Sequence, residues 1–192
     1  QLKALHDYPD MRIALSESSI GWIPYFLERA DFSNWRHKAW TNSIFQKTKP
    51  SEIFRRHFLC CFIDDVFGLK HLEDVGEDMV AFESDYPHSD TLWPEVPEYL
   101  WQSVKHLTDA RIDKVTHLNA MRHFRFDMFK HIERQDLTVG ALRAQARAKG
   151  VDTTPKSTGG ARPVEAGVAR PITSGDLVAM YNKHAETIAE SA

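Results

Sequence analysis

Short, largely apolar runs that alternate with helical segments are the feature that most constrains the fold. The runs cover residues 11–15, 58–63 and 79–82. Their length and apolar character indicate strands that are buried on both faces. Because a segment with helical spacing follows each run, the chain is predicted to be an α/β protein with a parallel sheet covered by helices.

The apolar spacing also predicts where the helices lie. They cover residues 22–40, 52–56, 66–75, 97–107 and 108–126, with a basic, Ala-rich helix at 138–149. Ser51 is predicted to cap the second helix, and Asp64 or Asp65 the third, because short polar side chains satisfy the unpaired amides of a first turn. Gly76 is predicted to end that third helix.

Three parallel strands leave the sheet incomplete. A parallel barrel closes with about eight strands, whereas an open three-stranded sheet exposes its edges and apolar faces. We therefore expect these residues to form part of a larger barrel, and the chain to be a fragment or a processed product. The alternative is an open α/β module that stands alone, which we expect to be insoluble or partly unfolded, and inactive.

The composition limits the classes of partner. The formal net charge is −3, with basic and acidic residues interspersed, so no nucleic-acid partner is expected. No run approaches the roughly eighteen apolar residues that span a bilayer, so no membrane partner is expected either. Cys60 and Cys61 are adjacent in an apolar run, where neighbouring side chains point to opposite faces and do not bridge. We expect two buried thiols in a cytoplasmic protein.

The segment after the third run carries the candidate chemistry. It contains Glu83, Asp85 and Asp90, with His88 among them. The carboxyl ends of parallel strands are where α/β folds keep their active sites. A carboxylate there can bind a divalent cation or take a proton from water. Alternatively, Asp85 only forms a turn, and His88 is only a surface residue.

Other acids have competing interpretations. Glu17 leaves the carboxyl end of the first run, where it can donate or accept a proton or orient a substrate. It can equally cap the next helix or face solvent. Asp64 and Asp65 are interpreted as helix caps. His57 precedes its strand, on the side of a barrel that serves stability, so it is interpreted as structural.

Four segments together resemble the carboxyl-terminal half of amidohydrolase-related proteins, the group that includes aminocarboxymuconate semialdehyde decarboxylase. They are residues 16–31, 62–65, 83–90 and 114–127. The resemblance covers about residues 1–127, roughly two-thirds of the chain. It implies a distorted (β/α)8 barrel whose metal ion is held by histidines and by an aspartate that ends the last strand. Asp85 matches that aspartate, which would make the three runs the sixth, seventh and eighth strands.

The resemblance also implies a function. Decarboxylase relatives place a catalytic histidine after the sixth strand, where this chain has Glu17, so hydrolysis is favoured. The predicted protein is a metal-dependent hydrolase of a small carboxylated or aromatic compound, inactive if truncated, with a divalent metal ion that we expect to be zinc. Asp85 is the predicted metal ligand, and Asp85, Glu17 and His88 are the predicted catalytic residues. The alternatives are a decarboxylase of the same superfamily and a barrel scaffold without catalysis.

The domain organisation follows from composition. Residues 1–135 are predicted to be the carboxyl-terminal portion of the barrel, three βα units followed by terminal helices, and 136–150 a helix. Residues 151–172 are rich in Thr, Pro, Gly and Ala, which predicts a flexible linker. Residues 173–192 are predicted to form a terminal helix. Its apolar stripe suggests a homodimer contact, or alternatively packing on the same barrel.

Overall fold

The computed structural model describes residues 3–93 and 95–153 as an α/β arrangement around one parallel sheet. The strands are β1 (Ile13–Leu15), β2 (Phe58–Phe62) and β3 (Val80–Phe82). Their order in the sheet is β1-β2-β3, and both pairings are parallel. Cys60 of β2 lies opposite Leu15 on one side and Val80 on the other. The predicted α/β class and the three predicted strands are confirmed.

Helices connect and follow the strands. They are α1 (Ala4–Asp7), α2 (Ile23–Thr41), α3 (Pro50–His57), α4 (Val66–Lys70), α5 (Leu72–Val75), α6 (Val96–Val104), α7 (Asp109–Asp113), α8 (Asn119–Phe124) and α9 (Val139–Ala148). A π-helical turn, Lys114–Leu118, joins α7 to α8. Within the described ranges, none of these helices is long and apolar enough to cross a membrane.

The chain divides into two compact units. Of the described residues, the first unit comprises 3–83 and 100–138, and it contains the sheet and its core. The second comprises 84–93, 95–99 and 139–153. Within the second unit, Arg143 of α9 pairs with Glu98, with 2.6 Å between Nη1 and Oε1. The predicted helix at 138–149 is confirmed, whereas most of the predicted linker and all of the terminal helix lie outside the described residues.

Both faces of β2 are buried, as its apolar sequence predicts. Cys60 and Phe62 pack on one face in the main core cluster. Leu59 and Cys61 pack on the other face with Ala81. The main cluster also contains buried residues from the loop after β1, from the helices and helical turns, and from β3, namely Ile20, Ile23, Leu27, Leu69, Leu72, Val75, Met79, Val80, Val104 and Val115. Burial of this kind is the dominant favourable term in folding.

The predicted helix 66–75 is two helices. α4 ends at Lys70, and His71 leaves the helical region with φ −109° and ψ 30° before α5 begins at Leu72. The predicted cap is confirmed for Asp65, whose Oδ1 accepts from the Gly68 amide at 2.7 Å. Gly76 ends α5 with φ 104°, a left-handed value that glycine adopts without a steric penalty.

The predicted role of Ser51 is wrong. The residue that precedes α3 is Lys49, and Ser51 lies in the first turn. Both the amide and the hydroxyl of Ser51 donate to the carboxylate of Asp31 in α2, at 2.9 and 2.7 Å. The first-turn amide is therefore satisfied by a residue 20 positions away, which a local capping pattern cannot reveal.

His57 has the structural position that the sequence predicts. It is the last residue of α3, is 1% exposed and directly precedes β2. Its Nδ1 lies 2.7 Å from the carbonyl oxygen of Met11. Since a carbonyl only accepts, Nδ1 donates and ties the end of α3 to the segment that enters β1.

Polar contacts fix the chain where it enters β3. Lys114 Nζ pairs with Glu77 Oε1 and Asp78 Oδ1, at 2.5 and 2.9 Å. These contacts lower the pKa of both carboxyls from their ordinary values, chiefly through the hydrogen bonds from Lys114. Buried Asn119 donates to the carbonyls of Glu77 and Val80, at 2.7 and 2.8 Å. The turn before β3 is thus held by the helical segment that follows α7.

Gly68 allows α4 to approach the loop after β1. A Cβ at this position would lie 2.4 Å from Ile20 Cγ1 and 2.9 Å from the Gly21 amide nitrogen. Gly68→Ala is therefore expected to lower the free energy of unfolding by about 1–3 kcal/mol, the usual cost of overpacking. Gly140→Ala in α9, where a Cβ meets nothing within 4 Å, is the control. Urea unfolding midpoints measure both, and equal midpoints for the two variants would contradict the close approach.

The two cysteines are free and buried, as predicted. Burial raises the pKa of the Cys60 thiol to about 12 and that of Cys61 to about 11. Both groups are therefore protonated at neutral pH. Thiolates, rather than thiols, attack electrophiles and bind metal ions.

The high thiol pKa values predict slow labelling of the folded protein. At pH 8 a disulfide reagent such as dithionitrobenzoate is expected to react with neither cysteine on the timescale of minutes, because about 0.1% or less of each is thiolate. In urea both are expected to react at once, since their pKa values return to the ordinary range. Rapid labelling of one thiol in the folded protein would show that β2 is not covered on that face.

Candidate functional site

The three strands deliver acidic residues to one edge of the sheet. β1 is followed by Ser16 and Glu17, β2 by Asp64 and Asp65 within three residues, and β3 directly by Glu83. Because both pairings are parallel, all three carboxyl ends lie on the same side. This edge is where the sequence predicts the site.

Glu83 connects the ends of β3 and β1. Its backbone amide donates to the Phe62 carbonyl at 3.0 Å, which continues the β2–β3 pairing by one residue. Its side-chain Oε2 accepts from the Ser16 hydroxyl at 2.6 Å, and Oε1 accepts from the Glu17 amide. Both carboxylate oxygens are thus engaged by the loop after β1.

Asp65 holds the other end of the same loop. Its Oδ2 accepts from the amides of Ile20 and Gly21, at 2.7 and 2.8 Å, while Oδ1 caps α4 at Gly68. The sequence identified the cap and missed the two longer-range bonds. Neighbouring Asp64 accepts at Oδ1 from the Ser103 hydroxyl at 3.2 Å.

Three residues in the segments that follow β1 and β3 have a strained backbone. Glu17 and Ser19 have φ values of 53° and 52°, and Asp85 has 54°. Residues with a side chain seldom adopt this left-handed region, at a cost of about 1–3 kcal/mol each, and such residues cluster at functional sites. Two of the three are predicted catalytic residues.

Asp85 and His88 form a hydrogen-bonded pair in the second unit. Asp85 Oδ1 lies 2.9 Å from His88 Nδ1, and the Asp85 carbonyl accepts from the His88 amide at 2.7 Å. The Asp85 side chain is 9% exposed, whereas that of His88 is 69% exposed. The carbonyl contact closes a backbone turn over residues 85–88, and the side-chain contact pairs the carboxylate with the imidazole.

The second carboxylate oxygen of Asp85 is suited to a metal ion. Oδ2 is buried, and it has no hydrogen-bond donor among the described residues. A buried acceptor without a donor costs free energy unless a cation or a donor is supplied. Carboxylate oxygens are ordinary ligands of divalent ions such as zinc. Asp85 therefore fits the group that the resemblance implies.

Glu17 is held through its backbone. Its amide donates to the Glu83 carboxylate, and the residue is exposed on the loop that leaves β1.

In the second unit, the Trp93 ring contacts the Tyr86 ring, with 5.4 Å between their centroids. Both residues are more than half exposed.

The chain is similar to one family of known proteins. A family model described as amidohydrolase matches residues 2–126, well over half of the chain. A search of curated proteins finds no significant match. The matched region contains all three strands of the sheet together with Glu17, Asp85 and His88. The chain therefore belongs to the amidohydrolase family, whose members are generally enzymes with a divalent metal ion in a barrel of the TIM type.

Proposed function

We propose that this protein is a metal-dependent hydrolase that acts on a small carboxylated or aromatic compound. Family membership supports metal-dependent hydrolase chemistry in general. The observation that supports a metal site at Asp85 is its buried Oδ2, which lacks a hydrogen-bond donor among the residues described. It follows a strand of the parallel sheet by three residues, as barrel ligands do.

Three side chains have proposed roles. Asp85 would hold the metal ion through Oδ2 or accept a proton from water. His88 orients that carboxylate through Oδ1, at 2.9 Å, and its exposed ring can also meet a substrate. Glu17 would donate or accept a proton, or orient the substrate, beside the carboxyl end of β1. When bound, a divalent ion brings the pKa of water toward neutrality, which permits attack on a carbonyl at ordinary pH.

Hydrolysis is favoured over decarboxylation, which is the second candidate. The residue after β1, in the position that the family resemblance gives to a catalytic histidine, is Glu17. A carboxylate can manage the proton transfers of hydrolysis. Zinc is the proposed ion because it accepts mixed oxygen and nitrogen ligands and leaves a coordination position open in catalytic sites.

The sheet supports a place in a larger barrel. In the described part of the chain, β1 and β3 each pair on one side only. Unpaired strand edges promote association, and barrels remove them by closing. We propose that the three strands are part of a (β/α)8 barrel, with residues 1–135 as its carboxyl-terminal portion. We also propose a cytoplasmic location, which the two free cysteines support. A homodimer contact through residues 173–192 is a further proposal.

Zinc binding by the full chain tests the metal site. The chain, stripped of metal with a chelator, is titrated with Zn²⁺ by calorimetry. Asp85→Asn is expected to weaken binding by about tenfold or more, because it removes the anionic ligand. Asp90→Asn, an exposed acid of the same segment, is the matched control and is expected to bind as the wild type does.

Product analysis then separates the reactions. Zinc-loaded protein is incubated with small aromatic esters, amides and carboxylic acids, and acid release and carbon dioxide are measured. Hydrolysis products that disappear with Asp85→Asn support the proposal, whereas carbon dioxide release supports decarboxylation. Equal zinc affinity for the wild type and Asp85→Asn would refute Asp85 as the ligand, and no zinc binding at all would favour a scaffold.

A further inference from the structure

The loop between β1 and α2 is held in a conformation that it would not adopt alone. Glu17 and Ser19, two residues apart, both have left-handed φ values. Each such residue costs about 1–3 kcal/mol and persists only where surrounding contacts fix it. The contacts that fix this loop therefore contribute to any function that depends on its conformation.

Glu83 supplies the contacts at the Glu17 end. Its carboxylate accepts from the Ser16 hydroxyl at 2.6 Å and from the Glu17 amide. Its own backbone is fixed by the bond from its amide to the Phe62 carbonyl. Since β1 and β3 flank β2, about 10 Å separates the two outer strands. The Glu83 side chain thus crosses the end of β2 to reach the loop.

A metal-ligand role for Glu83 itself is less consistent with the contacts. Each of its two oxygens already accepts a hydrogen bond from the loop. By contrast, Asp85, two residues further on, keeps a buried oxygen without a donor among the described residues. The two acids of one segment therefore have different tasks.

We infer that Glu83 is a positioning residue, which fixes the Ser16–Glu17 backbone and thereby holds the Glu17 side chain at the carboxyl end of β1. The inference rests on the proposed function in its second half, because Glu17 is assigned there to proton transfer or substrate orientation. Its first half, the fixing of the loop, depends only on the hydrogen bonds. The two halves are tested separately.

Amide hydrogen exchange tests the fixing of the loop. In the full chain, Glu83→Leu is expected to accelerate exchange of the Glu17 amide by about tenfold or more, since the amide loses its acceptor. Glu83→Gln is expected to stay near the wild-type rate, because its carboxamide oxygen accepts from Glu17 and its NH₂ group donates to Ser16 Oγ. Ser16→Ala, which removes one of the two bonds, is the matched control with an intermediate rate.

A double-variant cycle tests whether Glu83 acts through Glu17. The rate of acid release from the small aromatic esters and amides is measured for Glu17→Gln, Glu83→Leu and both together. Each single change is expected to lower this rate by about tenfold or more, since a side chain positioned for proton transfer contributes about 10²–10⁴-fold. The double variant is expected to be no slower than Glu17→Gln, because interactions within one network are not additive.

Wild-type exchange of the Glu17 amide in Glu83→Leu would overturn the inference, and so would additive effects of Glu17→Gln and Glu83→Leu on the rate of acid release. A general loss of structure is recognised by a lowered urea midpoint in Glu83→Leu. In that case the exchange rates of the Glu17 amide in Glu83→Gln and Ser16→Ala are compared instead, and a faster rate in Ser16→Ala than in Glu83→Gln supports the fixing of the loop. Failure of the proposed function has a different signature, namely unchanged zinc affinity in Asp85→Asn. The exchange measurement then decides the positioning role alone.

Discussion

The parallel pairing of β2 with both neighbours is the constraint on which the rest of the sheet depends. β2 is the central strand, and its side chains are buried on both faces. Since each neighbour runs in the same direction, every strand ends at the same edge. The loops that leave this edge bring polar backbone and acidic side chains into one region, which apolar strands alone would not provide.

Backbone amides at this edge need hydrogen-bond acceptors from outside the sheet. The loop after β1 exposes amide groups that the sheet does not satisfy, and two of its residues have left-handed φ values. Asp65 accepts from the Ile20 and Gly21 amides, and Glu83 accepts from Ser16 and Glu17. Carboxylates are strong acceptors for amide donors. Two acids from different strands thus hold one loop, and the close approach of Gly68 to Ile20 and Gly21 depends on that loop's path.

The acids that follow β2 and β3 in the sequence divide into two kinds. Glu83 and Asp65 are engaged by backbone amides, which makes them part of the framework. Asp85 is engaged at one oxygen only, by His88, and its buried second oxygen gives it the capacity to bind a cation. The assignment of Asp85 as the metal ligand stays a prediction. It gains physical support because a desolvated carboxylate oxygen without a donor is costly to keep for structural reasons alone.

The sequence by itself determined the elements with a strong local pattern: the three strands, α2, a cap by Asp64 or Asp65, the free buried cysteines and the family. Apolar spacing and short-range capping depend on residues that are close together in the sequence, so they can be recognised without coordinates. Only the tertiary structure decided the break at His71, the bond from Ser51 to Asp31 and the reach of Glu83 to the loop after β1. These features join residues 20 to 67 positions apart or depend on packing, and no local pattern specifies which distant donor a carboxylate will meet.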